Sequence, residues 1–325
     1  MGAYNFSVAM CTYNGARFLN AQLASIAGQT QLPAELIVCD DGSRDDSVRF
    51  VTEFAKSVSF PVRIHVNEKN LGVIANFGVA ISLCGGDVIA LADQDDVWAS
   101  HKIERLDAEF RSSESIGLVF SDGELMDDDS KLLGTRLWES VGIQQTELER
   151  IQKGSLTNGL LCGSIVTGAT MAFRGGFREL VLPIPENLAL IHDGWIALLI
   201  SAVARISVVR EPLVKYRQHT AQQIGALARK VPEGGRTGAL NRSNPYPEAL
   251  AIVRTMRQRL LDKRDAFDAN KLLPDLETRI AHLEMRADLP NHGGQRAKAV
   301  LRELFALRYH RYSSGVSSAL KDLMA

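Results

Sequence analysis

Apolar residues along the first 120 positions occur in short runs separated by longer amphipathic stretches. The short runs predict buried strands at 5–11, 36–39, 62–66, 88–92 and 116–120. The intervening stretches carry apolar residues at helical spacing, which predicts helices at 16–27, 48–55, 70–83 and 102–110. Strands that alternate with helices at this spacing predict an α/β fold, a doubly wound and mostly parallel sheet with helices on both faces.

The rest of the chain has a weaker pattern. Residues 121–160 are polar, and their elements are left open. We predict a strand at 164–173, a buried helix at 195–204 and a short strand at 206–209. Residues 246–287 and 295–324 carry apolar residues on one face and Arg or Lys on the other, which is typical of amphipathic helices.

These elements predict three parts of the chain. Residues 1–225 form the α/β domain. Residues 226–245 are rich in Gly, Arg and Pro without periodicity, which indicates a linker or mobile loop. Residues 246–325 form a helical C-terminal region.

Net charge is unevenly distributed over the 325 residues. The totals, 37 Lys and Arg against 38 Asp and Glu, argue against a nucleic-acid partner. Residues 1–225 carry 19 basic against 27 acidic residues, whereas residues 226–325 carry 18 against 11. An acidic body with a basic tail indicates a segment that meets something anionic.

The four cysteines, Cys11, Cys39, Cys84 and Cys162, contain no CxxC pair. This spacing argues against a zinc site and a disulfide framework, and it favours free thiols in a reducing compartment. The most apolar helical stretch, 195–204, is half the length that a bilayer requires, and the N-terminus lacks a signal-peptide pattern. We therefore expect a cytoplasmic protein.

Two acidic motifs follow predicted strands, at the sheet edge where open α/β folds bind ligands. Asp40-Asp41-Gly42-Ser43 follows the second strand, and it either supplies a carboxylate to a base or ribose or caps the next helix. Asp93-Gln94-Asp95-Asp96 follows the fourth strand, and such close carboxylates repel unless a cation bridges them or water solvates them. Mg²⁺ and Mn²⁺ suit oxygen ligands of this kind. Lys102, one turn further on, is either a phosphate contact or an exposed helix lysine.

Two further motifs carry candidate chemistry. Asp193, within His192-Asp193-Gly194-Trp195, is either the N-cap of the following helix or a general base. His219, within Tyr216-Arg217-Gln218-His219, is either structural or a ligand of a metal at the acidic motif. The chain contains no P-loop motif, no G-x-G-x-x-G after a strand and no G-x-S-x-G elbow.

In order and spacing these motifs resemble glycosyltransferase family 2 over residues 5–225, and the resemblance implies its GT-A fold. The resemblance rests on residues 8–15, 40–43, 70–72, 91–98 with Lys102, 167–173, 192–195 and 216–219. The Asp-Gln-Asp-Asp-Val-Trp form most resembles the family's bacterial rhamnosyltransferase-like branch.

The resemblance implies roles for eleven residues. Nucleotide-sugar contacts are expected from Thr12, Asn14, Asp41, Asp93 and Lys102. Asp95 and His219 are expected to hold Mn²⁺ or Mg²⁺, and Asp193 to be the catalytic base. Gly168, Ala169 and Trp195 are expected on the acceptor side.

The implied activity is inverting, metal-dependent transfer of a sugar to a saccharide or lipid-linked saccharide acceptor in bacterial cell-surface polysaccharide synthesis. The donor expected first is dTDP-L-rhamnose, with a UDP-hexose as the alternative. A catalytically inactive sugar-nucleotide-binding subunit is a second alternative. A haloacid-dehalogenase-like phosphatase with Asp93 as nucleophile is disfavoured, because that nucleophile usually follows the first strand.

The basic helices leave two alternatives open. Leu301, Leu304, Phe305 and Leu307, with neighbouring Arg and Lys residues, are able to lie on an anionic membrane at the inner face of the plasma membrane. The other interpretation is that these helices pack on the α/β domain or form a homodimer interface.

Overall fold

A computed structural model describes residues 2–153, 165–219, 246–289 and 293–324. Its strands are β1 (Phe6–Thr12), β2 (Glu35–Asp40), β3 (Val62–Val66), β4 (Val88–Asp93), β5 (Val97–Trp98), β6 (Ile116–Met126), β7 (Leu132–Arg136), β8 (Met171–Arg174) and β9 (Arg205–Arg217). Its helices are α1 (Ala16–Ala27), α2 (Ser47–Ala55), α3 (Val73–Leu83), α4 (Lys102–Ser112), α5 (Leu137–Ser140), α6 (Gln145–Gln152), α7 (Arg178–Val181), α8 (His192–Val203), α9 (Tyr246–Asp262), α10 (Leu273–Asp288), α11 (Arg296–Phe305), α12 (Arg308–Tyr312) and α13 (Val316–Met324).

One sheet carries these strands in the order β3-β2-β1-β4-β8-β6-β9-β5, with β7 paired to β6 beside this path. Strands β1 to β4 are parallel, as the sequence pattern predicts. Strand β8 runs antiparallel to both β4 and β6, while β9 is parallel to β6. The sheet is therefore mixed, and β8 starts at the edge where β4 ends.

Helices cover both faces of the sheet because alternate strand residues point to opposite sides. On β1, Val8 and Met10 pack in a core with α1, α2 and α4. Ala9 and Cys11 face the other core, which contains α3 and α8. This two-faced burial confirms the predicted doubly wound arrangement of the first half of the chain.

Several predicted elements differ from the structure, among them the strand predicted at 116–120, which runs on to Met126. Strand β8 is shorter than predicted, since residues 168–170 form a 3₁₀ turn before it. Strand β9 runs on to Arg217 instead of ending at Val209. The predicted helix at 246–287 is interrupted between α9 and α10. The predicted linker at 226–245 lies outside the described residues.

The C-terminal helices belong to two cores. Val253, Met256 and Leu260 of α9 join the core that contains α8, so α9 and α10 pack on the α/β domain. Helices α11 to α13 instead gather around a small core that includes Val300, Tyr309 and Ala319 together with the end of α10. No helix among the described residues has the length and apolar character to cross a bilayer.

Three of the four cysteines, Cys11, Cys39 and Cys84, are buried free thiols. Burial raises the pKa of Cys39 and of Cys84 to about 12, and it raises that of Cys11 as well. These thiols are therefore inert packing residues. Cys162 lies outside the described residues.

Candidate active site

A cleft of about 410 Å³ lies at the edge where β1 and β4 end. The ends of parallel strands meet at one edge of a sheet, and the start of β8 and the end of β9 reach the same edge. Eight of the predicted site residues line the cleft: Thr12, Asn14, Asp41, Asp93, Asp95, Gly168, Asp193 and His219. Lys102, Ala169 and Trp195 do not line it.

Asp40 joins the end of β1 to the loop after β2. Its buried carboxylate accepts a hydrogen bond from Thr12 Oγ1 at 2.8 Å. The backbone N–H and the hydroxyl of Ser43 donate to the same carboxylate at 2.7 and 2.6 Å. Thr12, predicted to contact the nucleotide, therefore also holds the two loops together.

Asn14 fixes the loop between β1 and α1. It has a left-handed backbone conformation with φ 49°, which Asn tolerates better than most residues. Its backbone N–H donates to Ser43 Oγ at 2.8 Å, and its Oδ1 accepts from the backbone N–H of Arg44 at 2.9 Å. These two hydrogen bonds connect the loop after β1 to the Asp-Asp-Gly-Ser motif and the residue that follows it.

Gln94 is a cleft residue that sequence reasoning missed. Its Oε1 accepts from the backbone N–H of Tyr13 at 2.8 Å, and its Nε2 donates to the Tyr13 carbonyl at 3.2 Å. A Cβ at Gly15 would lie 2.0 Å from Gln94 Oε1, so only glycine leaves room for this pairing. The available signal is that Gln94 alone within its acidic motif has both a donor and an acceptor.

Asp41 lines the cleft, but much of its carboxylate is engaged by protein donors. It accepts hydrogen bonds from Asn67 Nδ2 and from the backbone N–H groups of Leu71 and Gly72, at 2.8 to 2.9 Å. The alternative in which this motif caps α2 does not hold, since the N-cap of α2 is Asp46. Asp41 therefore holds the loop before α3 at the edge of the cleft.

Asp95 and His219 meet although 124 positions separate them. Strand β5 pairs with β9, which brings the loop after β4 beside the residues that follow β9. His219 Nε2 lies 2.9 Å from Asp95 Oδ2, and the His219 ring packs on Phe18 with centroids 4.9 Å apart. The sequence-predicted metal pair is thus brought together.

Arg217 holds the loop that carries Asp95. Sequence reasoning did not predict it as a site residue. Its Nε donates to the Asp95 carbonyl at 2.7 Å, and its backbone N–H donates to Asp96 Oδ1 at 3.0 Å. A guanidinium nitrogen also donates to the carbonyls of Asp127 and Asp128 at 3.0 and 3.1 Å. This buried guanidinium joins the acidic loop to the turn after β6.

Lys102 is placed differently from its prediction as a phosphate contact. It is fully buried, its Nζ donates to the Ala169 carbonyl at 2.7 Å and lies 3.7 Å from the centre of the Trp98 ring. Burial lowers the pKa of Lys102 to about 7. Since Lys102 has no access to the cleft, the prediction of a direct nucleotide contact is wrong, and the side chain supports the turn at Ala169.

Asp96 is the buried carboxylate of the acidic motif. Its Oδ2 is buried without a hydrogen-bond partner among the described residues. Burial, with the nearby charges of Asp95 and Asp93, raises the pKa of Asp96 well above the ordinary value for aspartate. Asp93 and Asp95 line the cleft, whereas Asp96 is fully buried and does not line it.

Asp193 lies in the first turn of α8, whose N-cap is Ile191. Its Oδ2 accepts from the backbone N–H of Gly168 at 3.0 Å, and its Oδ1 accepts from that of Gly194 at 2.6 Å. The neighbouring His192 ring stacks on Phe77 with centroids 4.0 Å apart. Asp193 is thus held rigidly at the cleft by two backbone donors.

Two residues predicted on the acceptor side lie away from the cleft. Ala169 is buried, and its carbonyl accepts from Lys102. Trp195 is fully buried in α8, and its indole N–H donates to the Val181 carbonyl at 2.9 Å. The side chains of Ala169 and Trp195 therefore do not reach the cleft, and the prediction that they contact the acceptor directly is wrong. Ala169 is instead bonded to Lys102, and Trp195 to Val181.

A metal at the cleft depends on the donors that the fold brings together. No group of three or more His, Cys, Asp or Glu side chains suited to a metal occurs within the described parts of the chain. The protein donors that converge are Asp95 Oδ2 and His219 Nε2. Divalent ions in phosphate-binding sites are commonly held by one or two protein ligands plus substrate phosphates. The pair therefore fits an ion that a substrate diphosphate helps to hold.

Comparison with solved structures supports the predicted fold. The chain resembles the crystal structure of S. aureus TarS residues 1–349 in complex with UDP-GlcNAc, with a TM-score of 0.56 and 17% identity. The match covers 90% of this chain and 75% of that one. The mixed sheet with its C-terminal helices is a GT-A fold.

Sequence comparison identifies the family. Residues 7–173, just over half of the chain, match the family described as Glycosyl transferase family 2, and the chain belongs to it. An uncharacterized glycosyltransferase of Nostoc sp. is 26% identical over 243 residues, which are 74% of this chain and 73% of the relative. The Escherichia coli UDP-Glc:alpha-D-GlcNAc-diphosphoundecaprenol beta-1,3-glucosyltransferase WfgD is 29% identical over 130 residues. The aligned residues make up 40% of this chain and 50% of that enzyme.

Proposed function

We propose that the protein transfers a sugar, with inversion, from a nucleoside diphosphate sugar to a hydroxyl of a saccharide acceptor, with Asp193 as the base. The observation that carries the proposal is that Asp193 and the Asp93-to-Asp95 loop line one cleft from separate segments of the chain. One segment is suited to the nucleotide and its metal, the other to the proton of an attacking hydroxyl.

The proposed reaction is a single displacement at the anomeric carbon. The acceptor oxygen bonds to that carbon while its bond to the diphosphate breaks, and the hydroxyl proton passes to the Asp193 carboxylate. The nucleoside diphosphate leaves with the bonding electrons. A well-placed base contributes about 10²–10⁴-fold in rate. The backbone donors at Gly168 and Gly194 keep the carboxylate in one orientation.

Asp95 and His219 would hold Mn²⁺ or Mg²⁺ in this proposal. The ion supplies positive charge that offsets the negative charge developing on the departing diphosphate. Asp93 and the loop that Gln94 clasps to Tyr13 would position the nucleotide. Thr12, Asn14 and Asp41 would complete the nucleotide side.

The donor proposal has two members, both pyrimidine nucleotide sugars. The Asp-Gln-Asp-Asp-Val-Trp motif, which resembles the rhamnosyltransferase-like branch, favours dTDP-L-rhamnose. The name of the E. coli relative favours a UDP-hexose. That relative acts on GlcNAc linked to diphosphoundecaprenol, so a lipid-linked saccharide of cell-surface polysaccharide synthesis is the acceptor to test first.

The test combines nucleotide binding with product formation. Calorimetric titration with dTDP and UDP in the presence of Mn²⁺ ranks the two donors. Release of nucleoside diphosphate from dTDP-rhamnose and UDP-glucose is then measured with diphosphoundecaprenol-linked GlcNAc as acceptor. NMR of the product reports the anomeric configuration, which we expect to be inverted.

The decisive variant is Asp193→Asn, with Asp46→Asn at the exposed start of α2 as its matched control. We expect Asp193→Asn to lose about 10²–10⁴-fold in transfer and to keep its nucleotide affinity. The control should keep both. Transfer by Asp193→Asn at the wild-type rate would refute the base assignment. Nucleotide binding without transfer by the wild type would favour the inactive binding subunit.

A further inference from the structure

Exposed apolar side chains are concentrated on the last three helices. Seven of the thirteen large apolar side chains that the structure shows exposed lie between residues 301 and 324. Phe305 is 82% exposed, Met324 79% and Leu307 63%. Single exposed apolar residues are ordinary, but a concentration of this size indicates a contact surface.

The exposed residues form stripes on their helices. On α13, Val316, Leu320 and Leu323 are exposed, while Ala319 and Asp322 face the small core. On α11, Leu301 and Phe305 are one turn apart and exposed, while Val300 is buried. Each helix thus has a buried side and an outward apolar stripe, which is unusual for a helix that meets only water.

The charges on these helices are of one sign at the surface. Residues 293–324 contain six cations, Arg296, Lys298, Arg302, Arg308, Arg311 and Lys321. The two carboxylates of the same segment, Glu303 and Asp322, are 1% and 5% exposed. The outward surface of this described segment therefore combines apolar side chains with cations and exposes neither acidic side chain.

Both carboxylates have partners inside the small core. Asp322 accepts hydrogen bonds from Arg286 Nε at 2.7 Å and from the Tyr309 hydroxyl at 2.6 Å. Glu303 Oε2 lies 2.9 Å from His282 Nδ1. Glu303 also pairs with Arg308 at 2.8 Å, and Arg311 pairs with Asp275. Because the acidic groups are held inward, they do not neutralise the exposed cations Lys298 and Lys321, which remain for an external anion.

We propose that the outward face of residues 296–324, the C-terminal face, docks on an anionic lipid surface. Anionic headgroups match the cations, and the boundary between headgroups and acyl chains accepts side chains such as Phe305 and Met324. A symmetric contact with a second copy would place the same cations against each other, which disfavours that occupant. This proposal does not depend on the assigned donor or base.

The test is co-sedimentation of the full chain with phosphatidylcholine vesicles, with and without phosphatidylglycerol. We expect binding only to the vesicles that contain phosphatidylglycerol, and weaker binding as the salt concentration rises. The double variant Phe305→Ser/Met324→Ser should bind at least ~10-fold more weakly. The matched control is Leu132→Ser/Leu133→Ser, which removes two exposed apolar side chains from β7 and should bind like wild type.

Three outcomes would overturn the proposal. The first is equal vesicle binding by wild type and the Phe305→Ser/Met324→Ser variant. The second is equal binding to neutral and anionic vesicles. The third is a wild-type dimer in sedimentation equilibrium that becomes a monomer in the Phe305→Ser/Met324→Ser variant but not in the Leu132→Ser/Leu133→Ser control. Calorimetric binding of soluble dTDP and UDP is measured on every variant. Loss of vesicle binding with unchanged nucleotide binding separates the lipid proposal from the proposed sugar transfer.

Discussion

The backbone N–H of Gly168 donates a 3.0 Å hydrogen bond to Asp193 Oδ2 and so joins the turn before β8 to the first turn of α8. A Cβ at Gly168 would lie 3.0 Å from His192 Nε2 and 3.6 Å from Asp193 Cβ. The close contact of these two segments therefore depends on the absence of a side chain at position 168.

Substitution Gly168→Ala is expected to lower kcat by about 10-fold to 100-fold, because displacement of Asp193 by a fraction of an ångström misplaces the proposed base. Nucleotide affinity, measured by calorimetry, should stay unchanged. Gly176→Ala is the matched control, since a Cβ there meets nothing within 4 Å. Equal kcat for the two variants would contradict this account.

Substitution Asp95→Asn is expected to weaken Mn²⁺-dependent nucleotide binding by about 10-fold to 100-fold, a loss typical of a disturbed metal site. Titration with dTDP or UDP, in Mn²⁺ and then in chelator, measures the effect. Asp46→Asn should behave like wild type. If chelator leaves the wild-type affinity unchanged, the metal role of Asp95 is wrong.

Substitution Arg217→Lys is expected to lower the free energy of unfolding by about 2–3 kcal/mol, because a single ammonium cannot reproduce the forked bonds to two loops. Urea unfolding measures the change. Arg210→Lys is the control, because Arg210 lies on the same strand, is exposed and bonds mainly to Gln145. An equal loss of unfolding free energy in Arg210→Lys would show that the bonds from Arg217 to the two loops contribute no specific stability.

Substitution Asp96→Asn tests the raised pKa of this buried carboxyl. Above the ordinary pKa of aspartate the unfolded chain releases the proton that the folded protein retains, so this group destabilises the folded state increasingly as pH rises. Asn carries no such proton and still accepts from the backbone N–H of Arg217. The variant should gain stability relative to wild type as the pH rises above about 5 in urea unfolding. A constant difference across that range would contradict the prediction.

The first half of the fold was predictable because its hydrophobic pattern agrees with its burial. Strands β1 to β4 and helices α1 to α4 were all predicted with small shifts at their ends. Residues 121–160 were not, since β6 buries polar residues that tertiary contacts satisfy. Asp122 is buried, and its Oδ1 accepts from the backbone N–H groups of Gly123 and Trp138. No local pattern reveals the second of these partners, Trp138, which lies 16 positions further along the chain.

Contacts between residues far apart in the sequence also explain which parts of the candidate site could not be predicted. Acidic residues after strands indicated the cleft, and Asp95, His219, Gly168 and Asp193 line it. Lys102 was misplaced because a lysine at the start of an amphipathic helix is ordinarily exposed, whereas here Trp98 and the Ala169 carbonyl cover it. The pairing of Gln94 with Tyr13 was missed because its partner atoms are backbone atoms 81 positions away.

The reversed direction of β8 has a consequence for how such enzymes diversify. An antiparallel strand brings its beginning, rather than its end, to the edge where its parallel neighbours finish. Thr167 and Gly168 line the cleft from that beginning, while residues 12–15 and 93–95 line it from the ends of β1 and β4. Exchanges of residues directly before β8 thus leave the loops after β1 and β4 in place, so in the proposed function the acceptor side is able to vary separately from the nucleotide side.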